Sequence, residues 1–300
     1  MIIKNFLTKY RRILSTHRAQ VSLTTHLSTL ECNRKIGEAL RTKKPFFLGR
    51  LGWTEGDALG RFLTERSVPD KVKDPLCRVS GVFPLEDEEL KEFSNIYVES
   101  LRHANILGWA SSTPYQGWLI RSYAPQSLVA DFHSIEPYFC EEPWSWSLQG
   151  LKVLVVHPFA ESILTQYSTV RQKLFHNPKV LPEFSLKVIK APQTINGHST
   201  EYASWSKTLE ALKKQVQQED FDVAIIGCGA YGFPLAATVK EMGKVALHLG
   251  GVTQLLFGVR GRRWMVEQPK YHSIMTDAWC APLEQERPSG WEKIEGGCYW

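Results

Sequence analysis

The chain has 300 residues, 43% of them hydrophobic and 22% charged, with a formal net charge of +5. That length fits one large or two small domains with a substantial core, and no run of 18 uncharged apolar residues is present to span a bilayer. The small positive excess suits an anionic small molecule or an acidic surface and argues against nucleic acid as a partner, while the six cysteines, Cys32, Cys77, Cys140, Cys228, Cys280 and Cys298, form no CxxC pair, zinc spacing or disulfide framework.

The opening Met1-Ile2-Ile3-Lys4-Asn5-Phe6-Leu7 is too briefly apolar for a signal peptide. The expected location is therefore the cytoplasm, with free thiols in a reducing compartment. Residues 1–44 read as a helical segment, from the spacing of Leu27, Leu30, Ile36 and Leu40, closed by Pro45. Within it Lys4, Lys9, Arg11, Arg12 and Arg18 occur without an acid. That pattern suits a solvated basic face or a peripheral contact with the inner face of a membrane.

Phe46-Phe47-Leu48 reads as a short buried strand, and Gly49-Arg50-Leu51-Gly52 as a tight turn into a helix starting near Thr54. Residues 65–84, with Pro69, Asp70, Asp74 and Pro75, read as loop, and 86–105 as a helix whose start Glu86, Asp87, Glu88 and Glu89 favour. A buried strand follows at 106–110, and 111–149 reads as an aromatic, irregular insertion. Strands are predicted at 151–156, 186–190, 222–226 and 244–248, and helices at 161–175, 204–218 and 234–242. This alternation predicts an α/β fold with a Rossmann-like parallel sheet, helices on both faces and a helical N-terminus. Residues 45–264 form the catalytic α/β domain in this reading, and 265–300 a tail packed on it. Ligands of such sheets sit beyond the carboxyl ends of the strands.

Gly227-Cys228-Gly229-Ala230-Tyr231-Gly232 matches Gly-x-Gly-x-x-Gly between a strand and a helix. Glycines there permit a tight turn and close approach of phosphate to backbone N–H groups. The acid that would hold a dinucleotide's ribose at the end of the next strand is missing, since that strand ends in His248-Leu249-Gly250-Gly251. A phosphate or nucleotide contact of another kind, or a structural turn, remain the readings of the motif. No Gly-x-Ser-x-Gly elbow, Walker loop or HExxH motif is present, and Cys228 has no evident partner as a nucleophile.

Two elements resemble bacterial glycosyltransferases of the D-type fold, a family first known as a domain of unknown function in surface-polysaccharide gene clusters. One is Phe47-Leu48-Gly49-Arg50-Leu51-Gly52-Trp53-Thr54-Glu55, which is similar to the family's strand, Arg-hydrophobic-Gly and Asp-x-Glu element. The other is the unit from Asp222 to Gly251, with its glycine turn and its His-then-Gly strand end. The resemblance implies an enzyme that moves a sugar from a nucleotide sugar, a UDP-sugar by preference, to a glycan or lipid-linked acceptor in surface polysaccharide synthesis. It also implies a divalent metal, Mn²⁺ or Mg²⁺. Glu55 matches the family's essential Glu and Arg50 its Arg, whereas Trp53 stands where the family has Asp; Asp57 is the nearby acid that could complete a metal site.

Such chemistry needs cations or a metal on the leaving diphosphate, a base for the acceptor hydroxyl and polar contacts to the sugar. Arg50, Glu55 and His157 are the catalytic candidates. Gly52, Gly227, Gly229, Gly232, His248, Thr253 and Gln254 are the donor-binding candidates, and Arg260, Arg262 and Arg263 the contacts for phosphate or acceptor. Tyr115, Trp118, Trp144 and Trp146 suit sugar stacking or core packing. An NAD(P)-linked or other nucleotide-sugar-modifying enzyme, and a non-catalytic nucleotide-sugar-binding protein, are the alternatives.

Overall fold

The computed structural model describes residues 26–110, 112–194 and 201–300. The basic run from Lys4 to Arg18 lies outside the described residues. Among the described residues eight strands are present: β1 (His26–Leu27), β2 (Phe46–Arg50), β3 (Ile106–Trp109), β4 (Leu128–Asp131), β5 (Lys152–His157), β6 (Ser185–Lys190), β7 (Val223–Ile226) and β8 (Val245–His248). They form one sheet in the order β1-β4-β3-β2-β8-β7-β5-β6, with every pairing parallel. The main helices are α1 (Thr29–Thr42), α2 (Trp53–Glu65), α3 (Asp70–Arg78), α4 (Asp87–His103), α5 (Gln116–Tyr123), α6 (Ala160–Val170), α7 (Trp205–Gln217), α8 (Gly232–Glu241) and α9 (Thr253–Leu256).

Side chains alternate across the sheet and divide the core in two. Phe47, Leu107, Leu154, Ala224, Ile226 and Ala246 face α2–α5, α7 and α8. Leu48, Ile106, Val153, Val155, Ile225 and Leu247 face α1, α6, α9 and the tail. The parallel sheet with helices on both faces is thus present, and its central strands are continuous apolar runs because neither face meets water.

Three parts differ from the sequence-based expectation. His26–Leu27 is a strand paired with β4, so the described N-terminal helix begins at Thr29, where Ser28 and Glu31 form a capping box. The stretch 65–84 contains α3: Val72 and Leu76 anchor it in the core although Pro75 lies inside it. The aromatic stretch 111–149 contains α5 and β4, and β4 is legible only through its pairing with β1 and β3.

An aromatic cluster ties α4, α7 and α8 together. Trp205, fully buried, lies 5.3 Å from Phe93 and 5.7 Å from Tyr231 between ring centroids, and Tyr97 stacks on Phe233 at 5.7 Å. Trp205→Ala is expected to lower stability by about 3–5 kcal/mol. Urea denaturation checks this through a lower midpoint with an unchanged slope.

Candidate functional site

A cavity of about 470 Å³ opens at the carboxyl ends of β2, β5, β7 and β8. Its lining includes Arg50, Gly52, Glu55, His157, Gly227, Gly229, His248, Gln254 and Arg263. Residues far apart in sequence meet there because a parallel sheet delivers all its strand ends to one edge.

Arg50 ends β2, and its backbone N–H points to Nδ1 of His248 at the end of β8, 3.4 Å away. Its guanidinium lies over the Phe132 ring at 4.9 Å, and Nη2 donates to the Phe132 carbonyl and, at 2.8 Å, to Glu136. Glu136 is buried, and its other oxygen accepts from the Tyr271 hydroxyl at 2.7 Å. Burial alone would raise the Glu136 carboxyl, but His133, Arg50 and Tyr271 together hold it below its ordinary value. Arg50 Nε is buried without a partner.

Glu55 is the third residue of α2, whose N-cap is Gly52. Its carboxylate folds back over that glycine: a Cβ on Gly52 would stand 1.9 Å from Glu55 Oε2, so any other residue would displace the acid. The Thr54 hydroxyl donates to Oε2 at 2.9 Å and also contacts the Ser80 hydroxyl. Burial pushes the Glu55 carboxyl up; its own backbone N–H and the Thr54 and Ser80 hydroxyls oppose this, and the charge of Glu295 adds to it.

The two histidines are alike. Nδ1 of His157 accepts the Phe159 N–H at 3.0 Å, and Nδ1 of His248 faces the Arg50 N–H. Burial lowers both pKa values to about 3, with the Arg50 charge contributing at His248. Both rings are therefore neutral, and with Nδ1 accepting, the hydrogen-bond pattern assigns the proton to Nε2.

The glycine turn is filled by protein. A Cβ on Gly227 would meet the Gly250 carbonyl at 2.6 Å, and one on Gly232 the His248 ring at 2.5 Å. Gly229 has φ +55° and approaches the Ser80 carbonyl. The Ala230 and Tyr231 N–H groups are taken by Ser80 and Cys228 carbonyls. The motif thus packs a strand end closely, with the N–H groups of Gly227, Ala230 and Tyr231 already bonded to protein, while Gly227 and Gly229 border the cavity. Burial pushes the Cys228 thiol up, which keeps it protonated.

Other candidates separate. Gln254 is on the cavity with its Nε2 fixed by the Val259 and Tyr299 carbonyls, each at 3.1 Å, whereas Thr253 donates to the Ile226 carbonyl and does not line it. Of the three arginines only Arg263 lines the cavity, paired with Glu295 and donating to the Tyr299 hydroxyl at 3.1 Å. Arg262 pairs with Glu267 at 3.4 Å, and Arg260 is exposed. Asp57 pairs with Arg61 at 2.9 Å outside the cavity, because positions two apart on a helix point to opposite sides. Glu136 and Glu295 are held in ion pairs, and among the described residues no three His, Cys, Asp or Glu side chains cluster as an all-protein metal site would; Glu55 is the acid on the cavity that could share an ion with a donor diphosphate.

Sequence reasoning missed Glu136, Phe132 and Tyr271, which hold Arg50, and Glu295, Tyr299 and Trp300, which line the cavity from the tail. The aromatic richness of both regions was the available signal; nothing in the spacing ties either region to Arg50.

No protein-family model and no curated protein matches the chain. Among solved structures it is similar to one of domain of unknown function 1792, at 13% identity and TM-score 0.49, over 95% of this chain and 93% of that one. It is also similar to one described as the domain of unknown function 1792 with a distinct glycosyltransferase fold, at 12% identity and TM-score 0.45, over 95% and 94% of the two chains.

The neutral histidines predict an acid-sensitive fold. Their folded pKa of about 3 lies below the ordinary 6.5, so the stabilisation from keeping each ring neutral is complete above 6.5 and is lost as pH falls from there toward 3. The loss is about 1.4 kcal/mol per pH unit per histidine. Glu55, raised in the folded state, acts with the opposite sign near its own titration. His157→Asn, whose Oδ1 takes the place of Nδ1 and can still accept the Phe159 N–H, should flatten the decline by about that slope in denaturation curves at pH 6 and pH 5.

Proposed function

We propose that this chain is a glycosyltransferase that moves a sugar from a nucleotide sugar, with a UDP-sugar favoured, to a glycan or lipid-linked acceptor of surface polysaccharide. The observation that carries the reading is the gathering of Arg50, Glu55, two Nε2–H imidazoles and Arg263 around one cavity at the carboxyl edge of the sheet. A cavity of about 470 Å³ has the size of a small-molecule site. The sequence resemblance around Arg50 and Glu55 points the same way.

In this reading the guanidinium groups of Arg50 and Arg263 receive the donor's diphosphate. Arg50 Nη2 is committed to Phe132 and Glu136, which fixes the plane of the guanidinium and leaves its Nε without a partner. Arg263 offers its charge once a phosphate replaces the half-exposed Glu295. The Nε2–H groups of His157 and His248 donate to phosphate or sugar oxygens without adding a charge. Glu55 takes the acceptor hydroxyl's proton, a task that its raised pKa suits. Trp53, half-exposed on the cavity's lining and held by its indole N–H on the Ser112 carbonyl at 2.9 Å, offers a ring for sugar stacking. No step is routed through a metal.

A second reading, a nucleotide-sugar-binding protein without turnover, is favoured by one observation: Trp53 stands where a second metal-binding acid would be. Calorimetric titration separates the possibilities. UDP or GDP binding is expected; binding of NAD(H) alone would overturn both readings, and nucleotide binding without transfer would leave the second.

Glu55→Gln should retain the fold and lower transfer by about 100-fold to 10,000-fold. A Glu55 that serves only the first turn of α2 would instead cost about 1 kcal/mol of stability and little turnover. Melting temperature and transfer rate on the same variant decide between them. Because Arg50 and Arg263 supply the cations for the diphosphate in this reading, transfer is expected to persist in excess EDTA; its abolition, with recovery on added Mn²⁺ or Mg²⁺, would overturn the metal-free account.

A further inference from the structure

A second recess lies away from the strand ends that carry the cavity. It is a groove of about 390 Å³ beside the amino ends of β5 and β6. Its position is set by backbone bonds at the strand starts: Gly150 N–H donates to the Glu183 carbonyl and Ser185 N–H to the Leu151 carbonyl, each at 2.9 Å. Trp146, Pro178 and Pro182 supply apolar wall, and Gln149, Gln172 and the Arg171–Glu183 pair supply polar groups.

Of the four aromatic residues suited by sequence to sugar stacking, Tyr115 and Trp144 are buried in the core, whereas Trp146 is 41% exposed. Trp146, Gln149 and Gln172 are all exposed, and the indole N–H and the two side-chain amides have no protein hydrogen-bond partner among the described residues, so water satisfies them in the free protein. Arg171 is immobilised: Nη1 donates to the Leu181 carbonyl and Nη2 to Glu183, both at 3.3 Å, and the guanidinium lies 5.8 Å from the Tyr167 ring centroid. Glu183 is largely exposed, so its carboxylate keeps acceptor capacity.

These groups match one ligand chemistry. A pyranose has an apolar C–H face that packs on an indole and a rim of hydroxyls that both donate and accept. The groove supplies that ring and that mixture of free donors and acceptors. Its one cation is already paired with Glu183, so it carries no surplus positive charge to bind a phosphate or a uronate. We propose that the groove is a second carbohydrate site, one that takes a neutral pyranose unit of a glycan and is separate from the cavity. Binding there does not depend on the transferase reading; only the identification of the glycan as the acceptor chain rests on it. Under that reading the groove tethers the acceptor and raises its local concentration without taking part in transfer.

The test is saturation-transfer NMR on the full chain, without donor. The probes are the methyl pyranosides of glucose, galactose, mannose and N-acetylglucosamine and the corresponding β-linked tetrasaccharides. At least one probe should receive saturation on its ring protons, and Trp146→Ala should weaken its binding about tenfold or more. Because Trp146 belongs to neither core cluster, the variant should still fold cooperatively, and its calorimetric binding of UDP should match wild type. Absence of transfer to every probe would overturn the proposal. So would a signal that survives Trp146→Ala, or one that UDP displaces, since the sugar would then sit in the cavity. Should the groove bind sugars while no transfer is found with any donor, the carbohydrate site stands and the transferase reading falls.

Discussion

A strand in a parallel sheet covered on both faces can meet a ligand only at its end. Its side chains are spent on two cores, and its backbone groups on its neighbours. β2, β8, β7 and β5 are adjacent, and they end in Arg50, His248, Ile226 before Gly227, and His157. Each of these positions borders the same cavity or is followed by a residue that does. The chemistry of the site follows from that placement: residues separated by as many as 198 positions, such as Arg50 and His248, touch because their strands are neighbours.

The polar groups at this edge are organised largely by one another. Arg50 is held by Glu136, Glu136 by Tyr271, and Arg263 by Glu295 and Tyr299. Buried charge is tolerable only when it is paired and hydrogen-bonded, so the near-neutral cavity is what the low dielectric demands. The two imidazoles obey the same rule by staying uncharged. Donors fixed in this way need little rearrangement when charge develops on a ligand, which is the arrangement electrostatic catalysis favours. The loop after β4 supplies Phe132 and Glu136 and the tail supplies Tyr271, Glu295 and Tyr299, so segments between and beyond the regular elements complete the site.

The glycine turn illustrates how one pattern serves two purposes. Gly-x-Gly-x-x-Gly between a strand and a helix is what a phosphate cradle requires, but it is equally what close packing requires. Here the space left by the missing side chains holds the Gly250 carbonyl, the Ser80 carbonyl and the His248 ring. The motif identified the position of a strand end correctly, while the partner of each glycine came from elsewhere in the chain.

By itself the sequence determined the α/β alternation, six of the eight strands, the central helices and the residues at the strand ends, because each of these is a local pattern of apolar period, cap or turn. Arg50, Glu55, His157 and His248 were legible for that reason: each sits where an apolar run stops. β1 and β4 were not: β1 has two residues, and β4, Leu128–Asp131, is an apolar run of three within an aromatic stretch with no clear period, so both are defined by their pairing. α3 was masked by its prolines, and its register is set by burial of Val72 and Leu76. Only the tertiary structure decided which arginine of Arg260, Arg262 and Arg263 reaches the cavity, that Asp57 turns to Arg61 instead of joining Glu55, and that Glu136 orients Arg50. Those outcomes depend on which side of a helix or loop faces the sheet edge, and that is fixed by contacts between distant segments that no local pattern encodes.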